Sequence, residues 1–128
     1  MSELPAEPKV ISIINGPNLN LLGRREPDKY GSLTLDQINA ELSKAADLMG
    51  LRCRFEQSNC EGAIVDAIHK SEGTAGVILN AGAYTHYSLA IRDAIAAIDA
   101  PVIEVHLTNF HSRGEFRDKS VLAAGCRG

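Results

Sequence analysis

Short apolar runs alternate with amphipathic stretches along most of this chain, and that alternation constrains the fold more than any other feature. Val10-Ile11-Ser12-Ile13-Ile14 and Gly76-Val77-Ile78-Leu79 are almost wholly apolar and end at turn formers, Asn15-Gly16-Pro17 and Asn80-Ala81-Gly82. Runs of that length and β-branched character fit strands buried on both faces, as in the middle of a parallel sheet. Leu51, Cys53 and Phe55 alternate with Arg52, Arg54 and Glu56, a period of two with one polar face, which suits a strand at the sheet edge. Pro101-Val102-Ile103-Glu104-Val105 is a fourth strand-like run.

Between the strands the period changes to that of a helix. Leu35, Ile38, Leu42, Ala45 and Met49 recur at helical spacing, with Thr34 and Gln37 as a capping box and Gly50 as the stop. Ser58 and Glu61 are placed to cap a second helix that turns Ile64, Val65 and Ile68 inward before Gly73, and Leu89, Ile91, Ala94, Ile95 and Ile98 predict a third between Ser88 and Asp99. Strand and helix in strict alternation imply right-handed crossovers. The expected fold is α/β: a flavodoxin-like, doubly wound, open parallel sheet in three layers. A chain of 128 residues holds one such domain, residues 10–128, behind a short flexible arm at 1–9. No fifth strand or closing helix is visible past His106, so the last strand would leave an exposed edge and an uncovered face.

Charge and cysteine usage exclude several classes of function. The net charge is −3 and the pI about 5.8, so there is no basic field for a nucleic-acid backbone. The N-terminus has no apolar core of a signal peptide or anchor, which argues against a membrane partner. Three cysteines, Cys53, Cys60 and Cys126, show neither a disulfide framework nor a C-x-x-C pair, which fits a reducing cytoplasm. Cys53 reads as a small apolar residue and Cys60 as the opening of a helix. His86, His106 and His111 lack the spacing of a metal site.

The polar residues cluster just after strands one, three and four: Asn15 and Asn18, then Asn80, then His106. These are carboxyl ends of parallel strands, and ligands bind in the crevice outside such ends where the strand order reverses. Asn15-Gly16-Pro17-Asn18 taken alone is also an ordinary turn, and it is not a phosphate-binding loop, since no Gly-x-x-x-x-Gly-Lys-Ser/Thr or Gly-x-Gly-x-x-Gly pattern is present. His106 shares a strand face with Glu104, so the carboxylate can orient the imidazole and keep it basic. Tyr30 follows Arg24 and Arg25, whose charge would favour an ionised phenol. Arg113, Arg117 and Lys119 could grip an anionic or polyhydroxylated substrate or merely form a solvated face.

Longer motifs join these points. Asn15-Gly16-Pro17-Asn18-Leu19-Asn20-Leu21-Leu22-Gly23, Arg25-Glu26-Pro27, Tyr30-Gly31, Gln57-Ser58-Asn59 with Glu61-Gly62, Asn80-Ala81-Gly82-Ala83-Tyr84-Thr85-His86, Glu104-Val105-His106-Leu107-Thr108-Asn109 and Glu115-Phe116-Arg117 occur in an order and spacing that resemble type II 3-dehydroquinate dehydratase. The resemblance runs from about Val10 to Ser120. It implies reversible, cofactor-independent loss of water from 3-dehydroquinate to give 3-dehydroshikimate, in the shikimate or quinate pathway, by anti elimination through an enolate. It makes Tyr30 the base and Arg25 the group that stabilises its phenolate. Asn18 would position a water at the enolate, and His106, oriented by Glu104, would be the acid. It also puts the substrate carboxylate near Asn80 and the backbone amides of Leu107 and Thr108, and the hydroxyls near His86 and Arg117. Asp93 matches a residue lent across a subunit interface of a homododecamer built of trimers, and Arg113 a basic position of the late loop. Gly114 departs from the family, which often has an acid there, and family members continue past the equivalent of Gly128 into a last strand and a C-terminal helix. A flavodoxin-like small-ligand binding module and a catalytically inactive assembly subunit are the alternatives.

Overall fold

The computed structural model describes residues 7–24, 31–107 and 117–128. Among the described residues four strands, β1 (Lys9–Asn15), β2 (Leu51–Gln57), β3 (Gly76–Asn80) and β4 (Val102–Glu104), form one parallel sheet in the order β2-β1-β3-β4. Helix α1 (Leu35–Leu48) connects β1 to β2, α2 (Glu61–Lys70) connects β2 to β3, and α3 (Leu89–Ala97) connects β3 to β4. The apolar run at Val10–Ile14 lies in the inner strand β1 and the alternating run in the edge strand β2. The order reverses between β1 and β3, where a crevice was expected.

Ile14, Val77, Leu79 and Val102 present one sheet face to Ile64, Ala67 and Ile68 of α2 and to Ile91, Ala94 and Ile95 of α3, and the fully buried Leu122 completes this core. A polar seam lies beside it: the Ser71 hydroxyl donates to Ser12 Oγ at 2.8 Å, and Arg54 Nη2 donates to the Lys70 carbonyl at 3.1 Å. Helix α1 packs on β2 at the opposite face. The layers are therefore three, but Ile103, Val105 and Leu107, alternate residues on and just after β4, stay 47%, 37% and 45% exposed. That is the uncovered face expected from the sequence. The outer edge of β4 is not wholly bare: Arg127 N–H donates to the Val102 carbonyl at 2.7 Å, and Glu104 N–H to the Gly128 carbonyl at 2.9 Å.

Local details correct several helix expectations. The capping box of Thr34 and Gln37 forms as expected, but α1 buries Ala46 rather than Ala45, and Met49 is 71% exposed. Ala45 and Ala46 lie three and four residues past Leu42, so the spacing admits both, and the packing of the helix selects Ala46. Leu89, at the start of α3, is likewise exposed. Ser58 and Glu61 do not make a capping box. Ser58 Oγ accepts from Cys60 N–H at 2.9 Å, and the Glu61 carboxylate accepts from the Ser88 hydroxyl, so the cap is exchanged for a tie between α2 and α3.

Candidate active site

The loops after β1 and β3 meet backbone to backbone. Gly16 N–H donates to the Asn80 carbonyl at 2.7 Å, and a Cβ on Gly16 would stand 2.5 Å from the Ala81 carbonyl oxygen, so only glycine fits this approach. On the return side Gly82 has φ +60°, and a Cβ there would stand 3.2 Å from Pro17. Buried Asn80 accepts the Gly82 N–H on Oδ1 at 3.1 Å, which leaves Nδ2 as the donor end of its amide. Asn18 is the one non-glycine with positive φ among the described residues, at 69°, a conformation that asparagine tolerates better than most side chains.

At the end of β4, period two brings Glu104 and His106 onto one face as expected: His106 Nε2 lies 3.1 Å from Glu104 Oε2. The Ser120 hydroxyl donates to the same carboxylate oxygen while Ser120 Oγ accepts from the backbone N–H groups of Leu122 and Ala123. Burial, the largest influence on Glu104, pushes its carboxyl up, but the hydrogen bonds from His106 and Ser120, with the charges of His106 and His86, outweigh it together and hold the pKa below the ordinary glutamate value. The carboxylate is thus kept ionised beside the imidazole. Its charge reaches Cys126 as well, where burial first and Glu104 second push the thiol up to about 11.

His86 ends a 3-10 turn, Gly82–His86, after β3. Its Nδ1 lies 2.7 Å from the Lys119 carbonyl, and because a carbonyl only accepts, Nδ1 carries the proton. Thr85 accepts on its carbonyl from Val121 N–H at 2.9 Å. The segment of 117–122 therefore lies along the turn that holds His86, with half-buried Arg117 at its start.

Of the residues expected at the site, Asn80 and Glu104 end strands β3 and β4, and Asn18, His86, His106, Leu107 and Arg117 lie in the loops at the carboxyl end of the sheet. Asp93 does not join them. It is exposed on α3, in a depression shared with Leu89, Arg92, Ala96, Ala124 and Gly125. Arg25, Tyr30, Thr108 and Arg113 lie outside the described residues. Among the described residues no three His, Cys, Asp or Glu are grouped so as to hold a metal ion, and no helix is long and apolar enough to cross a membrane. Ser120 was not foreseen. It comes from a polar stretch 16 residues beyond its partner, with no periodicity to announce it.

An open parallel sheet with a histidine-carboxylate pair at its carboxyl end defines a broad class of α/β enzymes, and comparison with known proteins narrows it. Residues 9–128 match the family model for dehydroquinase class II, and the chain belongs to that family. It is 56% identical over 121 residues to the 3-dehydroquinate dehydratase of Halalkalibacterium halodurans, covering 94% of this chain and 83% of that one. It is 58% identical over 118 residues to the protein of the same name from an Exiguobacterium species, covering 92% and 81%. The type II dehydroquinase of Butyrivibrio crossotus superposes with a TM-score of 0.92 at 42% identity, over 96% of this chain and 87% of that one. That of Propionibacterium acnes gives 0.88 at 40%, over 94% and 83%.

Proposed function

We infer that this protein is a hydro-lyase that dehydrates 3-dehydroquinate to 3-dehydroshikimate. Within a chain of the class II dehydroquinase family, the observation that carries this reading is the imidazole of His106, 3.1 Å from the carboxylate of Glu104 at the carboxyl end of β4. Elimination from a β-hydroxy ketone needs a base at the carbon next to the carbonyl and an acid at the hydroxyl. The two act on opposite faces in an anti elimination.

Tyr30, as phenolate beside Arg25, takes the proton alpha to the ketone. The electron pair moves into an enolate, whose oxygen is held by a water that Asn18 positions. The enolate then collapses to the conjugated enone as the carbon-oxygen bond breaks. His106 gives its proton to the departing hydroxyl, which leaves as water, and Glu104 stabilises the imidazolium before transfer. Substrate is held by its carboxylate at Asn80 and the amides of Leu107 and Thr108, and by its hydroxyls at His86 and Arg117, with Arg113 at the mouth. Asp93 reaches the site of a neighbouring subunit in a homododecamer built of trimers. No cofactor enters these steps, and the enzyme works in the cytoplasm on a small-molecule substrate.

The acid assignment is tested by the pH dependence of kcat/KM. The wild type should give a bell with two limbs, one from the Tyr30 and Arg25 pair and one from His106. His106→Ala should lose one limb and lower kcat by about a hundredfold or more. An unaltered bell with full activity in His106→Ala would remove His106 from the mechanism.

A further inference from the structure

We propose that Asn59 is a positioning residue for the reaction, acting through the backbone of Asn18; the inference rests on the role given to Asn18 above. Asn59 belongs to a short segment between β2 and α2, and its side chain is exposed. Yet its Oδ1 accepts from the backbone N–H of Asn18 at 2.9 Å, across 41 residues, and from Gln57 Nε2 at 3.2 Å. Gln57 Nε2 also donates to the carbonyl of Gly16 at 3.1 Å, and Ser58 N–H donates to the carbonyl of Asn15 at 3.0 Å. Three consecutive residues thus hold the backbone at the end of β1 and in the loop after it, at positions 15, 16 and 18.

The polarity of the brace is fixed by its partners. The Asn18 N–H can only donate and the Gly16 carbonyl can only accept, so Asn59 must present oxygen and Gln57 nitrogen. What the brace holds is the left-handed backbone at Asn18, with φ 69° and ψ −4°. A non-glycine residue occupies that region at a cost and persists there where its surroundings over-determine it. Releasing the Asn18 N–H would let residue 18 relax toward ordinary φ and swing its side chain away from the place where the enolate oxygen develops. An error of about 1 Å in such a group can cost on the order of a hundredfold in rate.

The same segment reaches the loop after β3. The Tyr84 hydroxyl donates to the Asn59 carbonyl at 2.9 Å, and Ser88 Oγ donates to Glu61, on either side of His86. Asn59 therefore stands between two loops of the site, with its side chain on one and its carbonyl on the other. Because truncating the side chain leaves the carbonyl in place, Asn59→Ala isolates the first arm.

The experiment is a double-mutant cycle on kcat and KM with purified full-length protein and 3-dehydroquinate. Asn59→Ala should lower kcat about ten- to a hundredfold with KM changed less than about threefold, since the group it positions acts on the intermediate. Asn59→Asp, which keeps an oxygen facing the Asn18 N–H, should recover most of that loss. The double variant Asn18→Ala with Asn59→Ala should be no slower than Asn18→Ala alone, the signature of two residues acting as one unit. If Asn18→Ala retains wild-type kcat, the role of Asn18 fails and this inference with it. If Asn18→Ala is impaired but Asn59→Ala is not, or the two losses multiply, the inference alone is overturned. Equal losses in Asn59→Asp and Asn59→Ala would also overturn it, by showing that the accepted hydrogen bond is not what matters. Should Asn59→Ala fold poorly, the Asn59→Asp measurement decides, since loss of kcat there with an intact fold contradicts the account.

Discussion

Two neighbours of Glu104 meet the same carboxylate oxygen. Both His106 Nε2 and the Ser120 hydroxyl meet Oε2, so the pair that positions the imidazole also ties down the segment beginning at Arg117. Because the folded pKa of Glu104 lies below its unfolded value, the unfolded chain takes up that proton first as the pH falls. Its stabilisation is full above the ordinary glutamate range and is lost as the pH drops through the lowered folded value. Urea denaturation of wild type and Glu104→Gln across that range should show a gap at neutral pH that closes in acid; a gap that widens in acid would mean the carboxylate is not stabilised by these partners. The thiols give a second test at this scale. Cys60 is exposed, Cys53 and Cys126 are half-buried with their pKa values raised, so a thiol reagent at neutral pH should label Cys60 first and leave the other two until the protein unfolds. The pairing of Glu104 with His106 was legible because a strand has a period of two. Ser120 was not, because its approach depends on where a distant polar segment is laid down.

At the scale of elements, the crevice is set by how closely two loops approach and by what anchors the third. The Gly16 backbone lies against Ala81 with no room for a Cβ, so Gly16→Ala should destabilise the fold by about 1–3 kcal/mol or more in urea denaturation. Leu122 is fully buried against α2, α3 and the sheet and fastens the segment that brings Ser120 to Glu104. Leu122→Ala should cost about 2–5 kcal/mol and lower kcat as well, whereas a loss of stability with no change in kcat would separate that segment from the site. The helices were legible from their periods, and the box at Thr34 and Gln37 from its spacing. Ser58 and Glu61 have the same spacing without the same outcome, because Glu61 is within reach of Ser88, a partner that no local pattern reveals. The meeting of Gly16 with Asn80 could be anticipated only in outline: strand order makes the two loops neighbours, and the structure adds that they touch through backbone.

At the scale of the molecule, part of the order β2-β1-β3-β4 was readable from patterning: the apolar runs of β1 and β3 fell in inner strands and the alternating run of β2 at an edge, while β4, apolar but at the other edge, was not told apart by its own pattern. The bare stripe of Ile103, Val105 and Leu107 and the exposed position of Asp93 are consistent with an assembly of subunits, as proposed. Light scattering should then give a mass many times the 13.7 kDa of one chain, and Asp93→Ala should raise KM only in the assembled protein. The account's central claim is chemical, and the most direct measurement is the appearance of the conjugated enone from 3-dehydroquinate, followed by near-ultraviolet absorbance with purified wild type and Tyr30→Phe side by side. The wild type should form the enone with no added metal or cofactor, and Tyr30→Phe, still folded, should be slower by about a hundredfold or more. A folded wild type that forms no enone, or a Tyr30→Phe variant as fast as the wild type, would contradict it.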